Sequence, residues 1–583
     1  MTQPSRAIST DVLIVGGGGA ALRAALEAQA SGASVLVAIK GEFRKSGATF
    51  HSVAEVGAFN VPDDAGKVGD GPDVFVEDIL NAAQDMADPR LARILAQEAG
   101  DAMQYLEKYG VTFEKSGNGY LVFQACFSSR PRSHVIPEHF KPIVKALGQE
   151  ASRRQIGVLD RTMIVDLIVR DGQCVGVIAL GADGVPLIIR SKSTILTTGG
   201  ASQIFAKNLY PTDITGDGYA MAYRAGARLA NLEFMQAGVS TLTPFVNLFG
   251  NYLWDAQPRL TDRNGKPFLA DYLPAGLSPE AVIAQKAKHF PFSASDISRY
   301  IEIAIQQAIN DGRGSDEGGV YMDFIDCDFE TLFADKTRSI TNMWPLTWQW
   351  YKDRGVDLHK DRFQITCSAH AVNGGILIDP DSQSSLPGLF AAGEVAAGPH
   401  GADRLGGNMA VTCQVFGRRA GIAAAARAKR VPMPDILDVE MEIGQLERRF
   451  AHHETGSELV ESIHAELQRA ANRHLLIIRD ADGLNALLKV CAHLEERLTQ
   501  SRIVSPRDRI AAIECANMIL VARLMASAAL ERRESRGGHF RRDYPERDPA
   551  LGFSIILDSK ARSGIVRASL SDLPNLEWQP SLS

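Results

Sequence analysis

The stretch DVLIVGGGGAALRAALEAQASGASVLVAI, residues 11–39, decides the fold. Asp11-Val12-Leu13-Ile14-Val15 is an apolar, β-branched run that reads as a buried strand. Four glycines, Gly16 to Gly19, interrupt it, and an Ala/Leu-rich helical run continues to about Ser31, where Gly32 ends it. Ser34 to Ile39 is a second apolar strand. Strand, helix and strand in so short a span make a βαβ unit, so the expected class is α/β with a Rossmann-like nucleotide-binding domain. Within the unit, Gly16, Gly18 and Ala21 occupy the G-x-G-x-x-A positions. Gly16 serves the tight turn, Gly18 the close approach of a pyrophosphate, and Ala21 the packing of helix on strand. Gly19 and Ala20 start the helix, whose free amides favour an anion.

The second strand runs into Lys40, where many dinucleotide sites place a carboxylate for ribose hydroxyls. A lysine there also suits a 2′-phosphate, so NADP is an alternative. Gly41 to Gly57 encloses Lys45-Ser46-Gly47-Ala48-Thr49, a small-residue loop suited to covering phosphates or a ring edge. Farther on, an apolar strand ends at Gly199-Gly200 and a helix opens at Asp217, which is suited to capping that helix or to binding ligand hydroxyls. Gly388 to Gly421 repeats the strand–glycine–helix logic, with Glu394 at the turn and His400, Arg404 and Asn408 among small residues. Met409 and Ala410 begin its helix. Small residues let a backbone approach a large planar ligand, and polar side chains set among them point to a ligand site.

The 583 residues carry 45% hydrophobic and 22% charged side chains and a formal charge of -7, with no basic run interleaved with aromatics. That composition argues against a nucleic-acid surface. No apolar run is expected to reach the ~18–20 residues of a membrane span, and the N-terminus lacks a signal-peptide core. Seven scattered cysteines without a C-x-x-C imply a reducing, cytoplasmic setting, with no iron–sulfur or metal site in the chain itself. Residues 231–350 turn aromatic and loop-rich. After Pro434 the pattern is helical to about Arg533, with breaks near Asp482-Gly483 and Ser505-Pro506. The expected organisation is a nucleotide-binding domain in two pieces (1–232 and 351–432), an inserted capping domain (233–350), a helical domain (433–545) and a tail (546–583).

The motifs VGGGGAAL, KSGAT, TTGG, TGDGYAMAYRAGA, SAHAVNGG, GLFAAGEVAAGPHGADRLGGN and ESRGGHFRRDYPERD occur in this order. Together they resemble the succinate dehydrogenase/fumarate reductase flavoprotein family, which includes L-aspartate oxidase and adenylylsulfate reductase. The resemblance implies FAD as cofactor, a mobile cap, and hydride transfer between flavin N5 and a small carboxylate-bearing or otherwise anionic substrate. It also implies that Gly16, Gly18 and Ala21 hold the pyrophosphate, while Ser46, Ala48, Thr49, Gly199, Gly200 and Asp217 line the flavin. Glu394 then meets ribose or ribityl hydroxyls, and Asn408 with the amides after it faces the pyrimidine edge. Lys40 has a precedent in family members with Ser-Lys at that strand end, so NADP recedes. His370 and Arg404 match the pair that grips a substrate carboxylate, a task suited to the bidentate guanidinium.

Three departures separate this chain from the family pattern. Gly47-Ala48 stands where covalent members carry the linking His, so FAD is expected to be non-covalent. Gly238 replaces a substrate-contacting His, and Ala294 replaces the cap arginine that moves the proton in fumarate reduction. Fumarate and succinate are therefore not expected as the substrate. Arg259, Arg263, Tyr252 and Cys367 are candidates for the lost proton handling. With no cluster motif in the chain, electrons are expected to leave through a separate iron–sulfur or quinone-linked subunit. The alternatives are a stand-alone oxidase using O₂, or a flavin-binding subunit without catalysis.

Overall fold

A computed structural model describes residues 6–51, 53–336, 338–435, 439–449 and 456–570. The part of the expected tail beyond residue 570 lies outside them.

Strand Arg6–Val15 pairs in parallel with Val35–Ala38 on one side and Pro186–Leu196 on the other. Gly157–Leu159 extends the sheet beyond Val35–Ala38, and Leu389–Ala391 adds beside Pro186–Leu196, both in parallel. The hairpin Met163–Arg170/Gln173–Leu180 closes the far side antiparallel. Five parallel strands are thus delivered with their C-terminal ends at one edge, where Val15 is in register with both Leu196 and Ala38. In open α/β sheets that edge is where ligands bind.

Two helices cover this sheet edge. Gly19–Ala30 and Asn408–Ala428 pack against each other. Their close approach depends on Gly417 and Gly421, where an added Cβ would lie 2.8 Å from Ala20 O and 2.5 Å from Ala24 O. Both helices begin at the sheet edge, so their unpaired first-turn amides face the same space.

The inserted region builds a second sheet. Its order is Asn247–Leu248, Met235–Thr243, Phe363–Val372, Val320–Asp323 and Arg259–Thr261. Phe363–Val372 follows residue 350, yet it is a central strand of this sheet, pairing with Met235–Thr243. That strand carries His370 to the boundary between the two parts. The proline at the start of Pro89–Lys108, and that of Pro506–Glu531, sit at N1, where the missing N–H costs nothing.

Helices Val460–His474, Ala481–Leu498 and Pro506–Glu531 pack together in the C-terminal part. The last is long and apolar enough to cross a membrane by length and composition, which corrects the expectation that no segment is. Of its apolar window 61% is buried inside the fold, as a core helix requires. The basic segment after it is a buried knot of ion pairs. Arg532 Nε meets Glu233 Oε1 at 2.8 Å, Arg532 Nη1 meets Glu534 at 2.9 Å, and Arg536 Nε meets Glu534 at 2.7 Å, all fully buried. Ser554–Leu557 then returns to pair with Leu229–Ala230, tying the C-terminus to the nucleotide-binding part.

Candidate active site

The main cavity opens at the C-terminal edge of the parallel strands and runs beneath the inserted region. One end is the glycine turn. Gly16 has φ +124°, and an added Cβ would lie 2.4 Å from Thr197 O, so the turn accepts only glycine there. Gly18 precedes the helix, and the amide of Gly19 donates to Thr49 Oγ1 at 3.2 Å. Gln414 Nε2 donates to Gly19 O at 3.2 Å, which locks the two covering helices at their starts. Gly16, Gly18, Gly19, Ala20, Gly41, Ser46, Gly47, Ala48, Thr49 and Gly199 all stand on the wall. Ala21 is fully buried behind it, as its packing role requires.

Lys40 and Asp217 also reach the wall, in roles that their positions along the chain do not announce. Lys40 Nζ contacts Asp217 Oδ2 at 2.8 Å, Thr215 Oγ1 at 2.6 Å and Glu514 Oε1 at 2.7 Å. Those carboxylates raise the lysine pKa against the desolvation that opposes it. An ammonium already held between two carboxylates is not free for a 2′-phosphate, which removes the NADP alternative. Asp217 makes no capping bond; its carboxylate accepts from Lys40, Thr215 and Asn517 Nδ2, the last at 2.8 Å.

Glu394 lies on the wall and accepts the Val372 amide at 3.1 Å. Burial pushes its carboxyl up to about 7, against that hydrogen bond and the charge of Arg404. Met409 and Ala410 present the start of helix Asn408–Ala428 to the cavity. Besides Ala21, three expected contacts lie off the wall. Gly57 sits in strand Val56–Asn60, its Cβ direction filled by the Phe140 ring at 2.8 Å and His139 O at 2.9 Å. Gly200 is stacked behind Glu394, whose Oε1 would be 2.1 Å from an added Cβ. The Asn408 side chain turns inward and accepts from Asn60 Nδ2 at 2.5 Å.

His370 and Arg404 meet on the other half of the cavity. Arg404 is 5% exposed; Nη1 donates to Leu405 O at 3.1 Å and Nε has no partner. His370 Nδ1 is likewise buried without a partner, its ring edge-on to Tyr210 at 5.5 Å. Burial, Arg404 and His139 hold His370 well below the usual imidazole range, so it is a neutral donor. Buried donors left unpaired in a cavity are expensive unless a ligand takes them.

Sequence reasoning missed two wall residues. His139 is buried, with Nδ1 unpaired, and occupies a left-handed backbone position at φ +57°. Burial pushes its imidazole down to about 3. Glu55 is 4% exposed. Neither lies in a motif, and only the pairing of Val56–Asn60 with Ser133–Pro137 brings them together. Of the candidate proton handlers, Tyr252 stands on the wall. Arg259 is spent on the buried Asp323 and the exposed Asp326, and Arg263 on the exposed Asp316. Cys367 is buried off the wall, donating to Glu302 O at 3.8 Å. At Gly238 an added Cβ would lie 2.9 Å from Phe290 Cζ, so Phe290 fills the room a side chain would need. His51 is exposed and off the wall.

A glycine cradle, two helix starts and a carboxylate at the third turn are the donor set of an FAD site. The Gly18 and Ala20 amides fit the pyrophosphate, Glu394 the hydroxyls, and the Met409–Ala410 amides a ring carbonyl. The fold and site therefore define an FAD-dependent oxidoreductase. The family model described as FAD binding domain matches residues 11–409, and that described as fumarate reductase flavoprotein C-term matches residues 464–563. The chain belongs to this fumarate reductase/succinate dehydrogenase flavoprotein family. It is 32% identical to a subunit of the fumarate reductase (CoM/CoB) of Methanothermobacter marburgensis, over 94% of this chain and 97% of that one. It is 28% identical to the L-aspartate oxidase of a Synechocystis species, over 92% and 94%. Among solved structures, Mycobacterium smegmatis Sdh1 in complex with UQ1 superimposes with a TM-score of 0.82 at 29% identity, covering 99% of this chain and all of that one. Among the described residues no group of His, Cys, Asp or Glu is placed to hold a metal ion.

Proposed function

We propose that the substrate is a small carboxylate-bearing anion other than fumarate or succinate, bound between the nucleotide-binding part and the inserted cap. The observation that carries this reading is the buried, unpaired Arg404 Nε beside the unpaired His370 Nδ1. When bound, FAD supplies two-electron chemistry at flavin N5. Arg404 binds and orients the carboxylate through its fork, and His370 adds a neutral donor beside it. Phe123, Phe249 and Phe290 keep water from the reacting carbon. The absences at 238 and 294 support a substrate unlike fumarate, because they take away one contact and the proton route.

FAD is held without a covalent link in this reading, since Gly47-Ala48 replaces the linking His. Electrons pass to a separate iron–sulfur or other electron-transfer subunit in the cytoplasm. The relative from Methanothermobacter marburgensis, itself one component of a fumarate reductase, supports this part. The aspartate oxidase relatives favour a second reading, a stand-alone oxidase. The test is anaerobic bleaching of the visible flavin band by a panel of dicarboxylates, amino acids and nucleotide anions. Repeating each hit in air with an H₂O₂ assay separates the readings. Stoichiometric peroxide selects the oxidase, and bleaching by no member of the panel refutes the carboxylate assignment.

A further inference from the structure

We propose that Tyr252, coupled to Glu55, is the acid–base residue of this site, taking over the role left empty at Ala294. The inference rests on the reading above, that a carbon next to a gripped carboxylate exchanges a hydride with the flavin. Such a reaction also moves a proton on the neighbouring carbon, and the protein must supply or take it.

The cap contributes Leu248 to Tyr252, Phe290 and Pro291 to the cavity wall, and of these only Tyr252 titrates. Asn251 donates its amide to Ala287 O at 2.9 Å and Gln124 O at 3.3 Å. The nearest cap arginine by sequence, Arg299, lies off the wall with Nη1 on Ala294 O at 3.0 Å. From the facing side, Arg404 is taken up by the substrate carboxylate in the reading above. His370 and His139 are held neutral by burial. Burial pushes the thiol of Cys126 up to about 11.

Tyr252 is paired with a carboxylate. Its hydroxyl donates to Glu55 Oε1 at 2.5 Å and lies 2.7 Å from Thr347 Oγ1. Asn247 Nδ2 donates to Glu55 Oε2 at 3.0 Å and also meets Tyr351 OH at 3.1 Å. Asn247, Tyr252 and Thr347, which donate to Glu55, are all neutral, and both Glu55 and Tyr252 stand on the cavity wall. Burial and Glu55 together raise the Tyr252 phenol well above its usual range, so it carries its proton at neutral pH. Tyr252 belongs to the cap and Glu55 to the loop before strand Val56–Asn60, so the pair assembles only where the two parts meet.

In the reductive direction the C=C bond takes a hydride from reduced flavin at one carbon. At the other carbon a C–H bond forms as the Tyr252 O–H bond breaks. The phenolate left behind takes a proton from water as product leaves, and the restored hydroxyl donates again to Glu55. Oxidation runs the same steps backwards.

The experiment uses the full-length holoprotein, reduced anaerobically with dithionite and mixed with fumarate, mesaconate or crotonate in a stopped-flow cell. Ferricyanide, which takes electrons without protonating carbon, is the parallel oxidant. Tyr252→Phe is expected to slow reoxidation by the unsaturated acids by about 100-fold or more. Its flavin content, ferricyanide rate and half-saturating acid concentration should stay at wild-type levels. Glu55→Gln, which removes the charge but keeps the shape of the acceptor, should also slow the reaction while its ferricyanide rate stays at the wild-type level, which a merely structural role would not do. Reoxidation of Tyr252→Phe within about threefold of wild type overturns the proton assignment and leaves the substrate reading standing. Loss of flavin or of the ferricyanide reaction in Tyr252→Phe makes Tyr252 structural and also overturns it. Wild-type protein that none of the acids reoxidises overturns the proton assignment, while the bleaching panel alone decides the substrate reading.

Discussion

Replacing Arg404 separates a ligand-binding arginine from a structural one, because the two roles move stability in opposite directions. The guanidinium is 5% exposed, makes one hydrogen bond to Leu405 O at 3.1 Å, and leaves Nε without a partner. A buried charge outside any ion pair costs several kcal/mol of desolvation, so the empty protein carries it at a loss. Arg404→Leu should therefore leave the apoprotein as stable as wild type or raise its stability by about 1–2 kcal/mol. Substrate binding should respond the other way. Hydrogen bonds to a charged group contribute about 1.5–3 kcal/mol each, and Arg404→Lys keeps the charge but loses the fork. A weakening of about 1–3 kcal/mol follows, which is roughly a 5- to 150-fold rise in Kd. The measurements are thermal melts of the apoproteins, the flavin-to-protein ratio, and titration of the flavin spectrum with whichever acid bleaches or perturbs it. Arg404→Lys recovered as apoprotein, or Arg404→Leu melting well below wild type, would make Arg404 structural and refute the reasoning.

Four further outcomes are expected. Acid precipitation should leave yellow flavin in the supernatant; flavin retained in the pellet, with a mass shift on a peptide containing His51 or His139, contradicts the non-covalent assignment. Reduced wild-type protein should reoxidise with fumarate far more slowly than a dedicated fumarate reductase, and millisecond reoxidation that Ala294→Arg fails to improve would show that the site is misread. Gly238→His should not restore a substrate contact, since its Cβ would sit 2.9 Å from Phe290 Cζ; overpacking should instead cost about 1–3 kcal/mol in a denaturant melt. Asp403 accepts Ser293 Oγ at 2.6 Å and Gln84 Nε2 at 3.1 Å, and burial pushes its carboxyl up from 3.8 to about 7. The folded state then holds a proton that the unfolded chain releases, so this contribution is complete at low pH and is lost as pH rises toward 7. Its full size is up to about 4 kcal/mol, and Asp403→Asn should flatten the stability–pH curve of the apoprotein over that window.

The sequence by itself determined the elements whose cause is local. Residues 11–39 form strand, glycine turn, helix and strand as their apolar spacing and glycines require. The break before Pro89 and the start at Pro506 follow from proline's missing N–H. Gly16 and Gly18 are legible because a phosphate turn needs glycine at those spacings whatever surrounds it, and Arg404 because its motif runs unbroken. Tertiary structure decided what depends on side chains meeting across the chain. Lys40 reads in one dimension as a ribose or phosphate contact, but Glu514, on a helix hundreds of residues later, holds it. Gly238 reads as a lost histidine, but Phe290 from another segment occupies its space. Glu55 and Tyr252 carry no motif, since a carboxylate and a phenol become an acid–base pair only at hydrogen-bond distance in a site that excludes water. Local patterns are written in neighbouring residues and survive in one dimension. The proton chemistry is set by long-range packing, which no spacing along the chain encodes.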